Sequence, residues 1–236
     1  MAGAGLKSAK RRRFTRLPQD QRVSDILASA RQVINEKGFE RVTMAEIAEK
    51  ANIVEGTVYR YFKNKDDLLL RVAEDYFTQQ IADLADVSAF SGTYDKLRYL
   101  IWHSLHTIER GPSLSRYVMT EVRTRPEYKD MKLFEINRQY TSQIRDLFKR
   151  AIESGEFKSG VPERVLRDMV FGTIEHSTWR FLRGEGELDT EELADEIARV
   201  VYRGMTAVPP EDERLDKVIN RLEKAIDRLP TASSES

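Results

Sequence analysis

The sequence predicts an all-α protein in two parts, a small N-terminal helical module and a larger helical domain behind it. Three observations carry this. Apolar residues recur at helical spacing in one segment after another. No stretch alternates with period two, so no sheet is expected. Glycine or proline falls where the apolar stripes give out, at Gly38, Gly111-Pro112, Gly155, Gly184 and Pro209-Pro210. The division expected from these signals is a disordered basic arm over 1–17, a three-helix module over 18–65, a large helical domain over 66–208, and an amphipathic helix with a disordered tail over 209–236.

Composition narrows the function classes. Charged residues make up 33% of the 236 and hydrophobic ones 40%, the mix of a soluble globular protein. There is no cysteine, which removes disulfides, thiolate metal sites and cysteine nucleophiles, and fits a cytoplasmic protein. No apolar run approaches the roughly 18 residues of a membrane span, and no apolar region follows the basic start as in a secretory signal. Net charge is zero but unevenly spread. Residues 1–22 carry seven Lys and Arg against one acid, whereas from Glu185 onward fourteen acids face seven bases. A basic end suits an anionic partner and an acidic end is kept from it.

The first helix is expected from Pro18 or Gln19 to Lys37, with Val23, Ile26, Leu27, Ala30, Val33 and Ile34 as one stripe. Gly38 is a natural residue beyond its end, and Phe39 can close the hydrophobic contact of that cap. Thr43 then caps a second helix, and Glu46 three positions later completes a capping box. Lys50-Ala51-Asn52 carries a turn, since Asn tolerates the left-handed conformation. A third helix, Glu55 to Phe62, presents Thr57, Tyr59, Arg60 and Tyr61 outward, and Asn64 caps the next one. The module is built around Ile26, Ala30, Ile34, Phe39, Ile47, Ala48, Val58, Tyr59 and Phe62, with Tyr59 thus counted on both sides. Two short helices about a tight turn form a helix-turn-helix, whose second helix enters the major groove of DNA. An ordinary αα-corner is the plainer object with the same outline. Ahead of the module, Lys10, Arg11, Arg12 and Arg13 would form an arm along phosphates or in a minor groove.

Beyond the module, helices are expected over Lys65–Ala85, Tyr94–Arg110, Leu114–Thr124 (stopped before Pro126), Glu127–Ser154, Pro162–Arg183 and, capped by Thr190, to about Ala207. The last two are apolar on more than one side, so one side faces the domain and the other a second copy, as a four-helix bundle in a homodimer. Val165, Met169 and His176 on one helix, and Ile197, Val201 and Gly204 on the other, are the interface candidates. Leu215, Ile219, Leu222, Ile226 and Leu229 make a short heptad seam after Pro210. A ligand pocket would draw on Trp102, His103, His106 and Tyr117, together with Phe134, Tyr140, Phe171 and Trp179. His103 and His106 stand three apart, a chelating spacing, but no third ligand lies in sequence reach, so no metal and no cofactor is expected.

Residues 22–70 resemble the N-terminal domain of the TetR family of bacterial transcriptional regulators. The pattern is an apolar helix ending in Gly38-Phe39, Thr43 with Ile47-Ala48, then Gly56-Thr57-x-Tyr59-x-Tyr61-Phe62, and Lys65 before Leu68. The resemblance implies a homodimer on a palindromic operator in double-stranded DNA, probed by a small, largely apolar effector, with no enzyme activity. Repression is the expected sense. By the same resemblance Thr43, Tyr61 and Lys65 meet phosphates, while Glu55, Gly56, Thr57, Tyr59 and Arg60 face base edges or the adjacent backbone. One departure stands out. The family usually carries a small hydroxyl residue two before the glycine, and here that residue is Val54. The Phe171–Leu182 run, FGTIEHSTWRFL, is similar to members that respond to long-chain acyl-CoA. A helical adaptor that binds protein alone, or an enzyme using a histidine base, are the competing classes; the sequence offers neither a nucleophile elbow nor a phosphate loop for the latter.

Overall fold

The computed structural model describes residues 19–206, together with Ile219 and Arg221. The basic arm and all but Ile219 of the C-terminal heptad seam lie outside the described residues. The chain divides into two compact units, Met1–Asp83 with Arg110–Asn137, and Leu84–Glu109 with Arg138–Ser236. Among the described residues the regular structure is helical, apart from an isolated bridge between Phe157 and Thr206. No helix among them is long and apolar enough to cross a membrane.

In the first unit, α1 runs Gln19–Lys37, α2 Met44–Lys50, α3 Glu55–Val58 and α4 Lys65–Ala82. The local signals act as expected at most of these ends. Gly38 takes φ 85°, a conformation that a side chain rarely adopts, and its N–H closes on the Ile34 carbonyl at 2.8 Å. Asn52 is in the left-handed region at φ 53°. The capping box of α2 is complete: Thr43 Oγ1 accepts from the Glu46 N–H, and Glu46 accepts from the Thr43 N–H. Asn64 accepts from the Asp67 N–H and starts α4.

Two expectations change here. The third helix is shorter than Glu55–Phe62, because after Val58 the chain continues in tighter turns, with Tyr61 N–H donating to the Val58 carbonyl at 3.0 Å. Tyr59, counted both in the core and outside, is 50% exposed and belongs to the surface. The rest of the expected core is buried: Ile26, Ala30, Ile34, Phe39, Ile47, Ala48, Val58 and Phe62.

The first unit also holds more than a three-helix module. Leu68, Leu69, Val72, Ala73 and Tyr76 of α4 join the same apolar cluster, as do Leu114, Tyr117, Val122, Leu133 and Ile136 from the later segment. That segment opens with α6, Pro112–Tyr117, and widens into a π-turn at Val118–Val122 that ends where Arg123 N–H meets the Val118 carbonyl. Gly111 permits the packing, since a Cβ there would lie 2.6 Å from the Tyr76 ring. Tyr76 itself is fully buried beneath the Arg31 guanidinium, 4.5 Å from the ring centre, and burial pushes its hydroxyl up to about 12.

The second unit contains α5, Gly92–Arg110, but for its last residue, most of α7, Lys132–Glu153, and all of α8, Glu163–Leu182, and α9, Thr190–Met205. The cap of α9 is Asp189, whose carboxylate accepts from the Glu192 N–H, and Thr190 is the first helical residue. Leu97, Leu100, Ile101, Leu105, Ile144, Phe148, Leu166, Val170, Ile174, Ala194 and Ala198 line its interior. Acid–base contacts tie α9 to α5: Asp195 takes Tyr94 Oη at 2.9 Å and Arg98 Nε at 3.2 Å, and Glu191 takes Arg98 at 2.6 Å.

Candidate functional site

The helix-turn-helix of the first unit is held from behind. Val58 at 0% and Phe62 at 2% exposure anchor α3 to the core, which a helix this short requires. The other side of the same turn is open. Val54, Glu55, Gly56, Tyr59 and Arg60 are exposed and Thr57 is half-buried, so six successive or near-successive groups share one surface. The Glu55 and Arg60 side chains make neither an ion pair nor a hydrogen bond among the described residues, so a local pair between them does not occupy this surface. Three other acids of the unit do have cation partners. Glu36 binds Lys50 at 3.0 Å, Glu46 binds Lys37 at 2.6 Å and Glu40 binds Arg116 at 2.7 Å.

Val54 is the N-cap of α3 and supplies no side-chain cap bond, so the loss of the usual hydroxyl is not replaced by another side chain. Of the residues expected at phosphates, Thr43 and Lys65 have hydrogen-bond partners within the chain, and Tyr61 is half-buried against the core. Thr43 Oγ1 donates to Glu46 Oε2 at 2.9 Å, and the Lys37 ammonium and Thr43 together hold the Glu46 carboxyl below its ordinary value. Lys65 Nζ donates to the Glu40 carbonyl at 2.8 Å. An ammonium has three donors, so this bond fixes the position of Lys65 and leaves two for an anion. Arg41 and Lys63 are further exposed cations of this unit that the motif does not single out.

Asp66 in the first turn of α4 is the residue that sequence reasoning misses most. Arg125 donates to it twice, at 2.6 and 3.0 Å, and Tyr117 Oη donates at 2.9 Å. The Arg125 bond chiefly, and the Tyr117 bond after it, hold the Asp66 carboxyl below its ordinary value, against the opposing effect of burial. Tyr117, proposed from sequence for a ligand pocket, is 2% exposed and packs at a tilt against Phe39, ring centres 5.2 Å apart, in the core of the first unit. Phe134, from the same group, packs edge-on against Tyr128 in that unit. No sequence signal links Asp66 to Arg125, which are 59 residues apart.

The other pocket candidates lie in the second unit. Tyr140 Oη lies 2.8 Å from His103 Nδ1 and 2.9 Å from Ser104 Oγ, and Ser104 Oγ donates to the Leu100 carbonyl. Burial pushes the Tyr140 hydroxyl well up. Phe171 packs edge-on to Tyr140, and Trp102 stacks on His106 at 4.9 Å. His106 Nδ1 meets Glu109 at 3.0 Å, so the two histidines turn to different partners. Trp179 is half-buried on α8.

Of the interface candidates, Met169 is 56% and Val165 38% exposed on α8, with His176 exposed beyond them. On α9, Ile197 is 6% exposed and faces the core of its own unit, Val201 is half-buried, and Val200, at 73%, is the outward apolar residue. Gly172 and Gly204 meet nothing within 4 Å of where a Cβ would stand.

Comparison with known proteins gives this arrangement a family. Residues 26–72 match the model "Bacterial regulatory proteins, tetR family", and residues 91–205 match "Tetracyclin repressor-like, C-terminal domain". The chain is 26% identical over 181 residues to the fatty acid metabolism regulator protein of Bacillus subtilis, covering 76% of this chain and 93% of that protein. It is 23% identical to the HTH-type transcriptional repressor KstR2 of Mycolicibacterium smegmatis, covering 78% and 91%. Among solved structures, the transcriptional regulator FadR of Bacillus subtilis in complex with stearoyl-CoA superposes with a TM-score of 0.66 at 27% identity, covering 77% of this chain and 98% of that one. With one family model on the helix-turn-helix and a second on the helices behind it, the chain belongs to the TetR family of bacterial regulatory proteins.

Proposed function

We propose that this protein is a homodimeric, cytoplasmic repressor that binds a palindromic operator and leaves it when a long-chain acyl-CoA binds. The open surface of α3 carries the DNA part of this reading. A turn whose inner face is locked by Val58 and Phe62, while its outer face shows an acid and a guanidinium unpaired among the described residues, and two tyrosines, is built to present groups to a partner. Thr57, Tyr59 and Arg60 read bases or position the backbone. Tyr61 and Lys65 meet phosphate, as does the start of α2 that Thr43 caps, through the first-turn N–H groups that the capping box does not take. Two copies joined through α8 and α9 set two such surfaces against successive grooves; the outward Met169 and Val200 and the open Gly172 and Gly204 support that face as the contact.

The acyl-CoA part rests on likeness to a regulator solved with stearoyl-CoA, and on the chemistry of the second unit. An aromatic and aliphatic interior with the His103–Tyr140–Ser104 group suits a long apolar chain with one polar end. Release requires that the ligand prefer the state unable to bind DNA, and shifting the population hundredfold takes about 2.7 kcal/mol of differential affinity. The test is fluorescence anisotropy on an operator selected from random duplex DNA. Stearoyl-CoA should displace the protein while stearate and free coenzyme A at the same concentration do not. Equal binding with and without stearoyl-CoA refutes the effector, and failure to select any sequence refutes the operator.

A further inference from the structure

Val54 is where the chain leaves its family's pattern, and the structure shows the consequence. Its side chain is 74% exposed, the largest fraction for any big apolar residue among those described, and it satisfies no cap. Next to it Glu55 is exposed and without a partner among the described residues, while four acids of the same unit, Glu36, Glu40, Glu46 and Asp66, each engage a cation. An apolar group and a bare carboxylate are poor companions for a phosphate backbone. In the major groove each has a suitable target. A carboxylate accepts from the N4 amino group of cytosine, and an aliphatic side chain packs on the C5 methyl of thymine. Consecutive Cα atoms are about 3.8 Å apart and stacked base pairs about 3.4 Å apart, so two consecutive residues span about one base step.

We propose that Val54 and Glu55 are specificity-determining residues that read adjacent base pairs, Val54 a thymine through its methyl group and Glu55 a cytosine through its amino group. This assignment rests on the DNA-binding reading above. Val54 thereby replaces a family contact with one that discriminates between bases, and Glu55 rejects sites that would place only acceptors opposite it.

The experiment uses the full chain and the operator selected by the unaltered protein. Each thymine of the half-site is replaced in turn by deoxyuridine, which removes only the methyl. At one position per half-site the affinity should fall roughly fourfold, the transfer value of a single methyl group, and about fifteenfold when both half-sites are altered. The V54S protein, in which a hydroxyl takes the place of the aliphatic contact, should bind thymine and deoxyuridine duplexes equally. Selection with E55Q should exchange cytosine for adenine at the adjoining position, because a glutamine side chain pairs with adenine. Both side chains are exposed, so the variants keep the fold; an unchanged far-ultraviolet circular dichroism spectrum checks this. Indifference of the unaltered protein to every deoxyuridine, or an unchanged selected sequence with E55Q, overturns the assignment alone. Selection of no sequence by the unaltered protein overturns the regulator reading beneath it.

Discussion

Replacing either partner of the Asp66–Arg125 pair should loosen the first turn of α4, and a double-mutant cycle can measure by how much. The two Arg125–Asp66 bonds, at 2.6 and 3.0 Å, form a fork in which the arginine side chain is 23% and the aspartate 50% exposed. Unit charges about 4 Å apart attract by about 1 kcal/mol in water and about 4 at an effective dielectric of 20. Half-exposure of Asp66 puts the pair near the lower figure, and ordering two side chains subtracts from it. A bidentate geometry with a third donor, Tyr117, adds to it. The expected coupling between Asp66→Asn and Arg125→Gln is therefore about 1–2 kcal/mol. Both tryptophans, Trp102 and Trp179, lie in the second unit, so their fluorescence is the wrong probe. Urea unfolding followed by circular dichroism, at one fixed protein concentration because the proposed dimerisation would add to stability, is the suitable assay. The sign with pH follows from the depressed carboxyl. A group held below its ordinary value of 3.8 contributes fully above that value, and loses its contribution as pH falls through the still lower folded value. The coupling should thus be constant from pH 5 to 8, begin to fall only below about pH 4, and vanish once the pH lies below the depressed folded value. A coupling under about 0.3 kcal/mol at pH 7, or one unchanged in strong acid, would show that the fork is a surface contact without mechanical consequence.

Other outcomes follow from the same packing and surfaces. Gly111→Ala should destabilise by about 1–3 kcal/mol, since its Cβ would fall 2.6 Å from a fully buried tyrosine ring; an unchanged urea midpoint would contradict that contact. Met169→Glu should leave the monomer fold intact, because the side chain is 56% exposed, and should shift sedimentation from dimer toward monomer; an unaltered dimer would place the interface elsewhere. Arg60→Ala should weaken operator binding and relax one base position, by about 1–3 kcal/mol of discrimination, whereas Lys65→Ala should weaken all duplexes alike and lower the salt slope by about one. Equal, sequence-independent losses in both would remove Arg60 from the base-reading set.

Much of the first unit is legible in the sequence because its signals are local. Gly38, Thr43 with Glu46, Asn52 and Asn64 each act within a few residues, through a positive φ or a cap bond, and each does so in the structure. The spacing of Ile26, Ala30, Ile34 and of Ile47, Ala48 likewise fixes which face is buried, since helical geometry alone puts those residues on one side. Where α3 stops, which of Thr190 and Asp189 caps α9, and whether Tyr59 faces in or out are settled by neighbours within one turn, and local pattern gets them only partly right. The tertiary structure alone decides the rest. That Arg125 and Tyr117 close on Asp66, that Gly111 must be bare for Tyr76 to lie beside it, and that Ile197 turns inward while Val200 turns out depend on contacts between distant segments. No residue carries a mark of a partner 50 or 60 positions away, because the energy of such a contact belongs to the pair and exists only once the chain has folded.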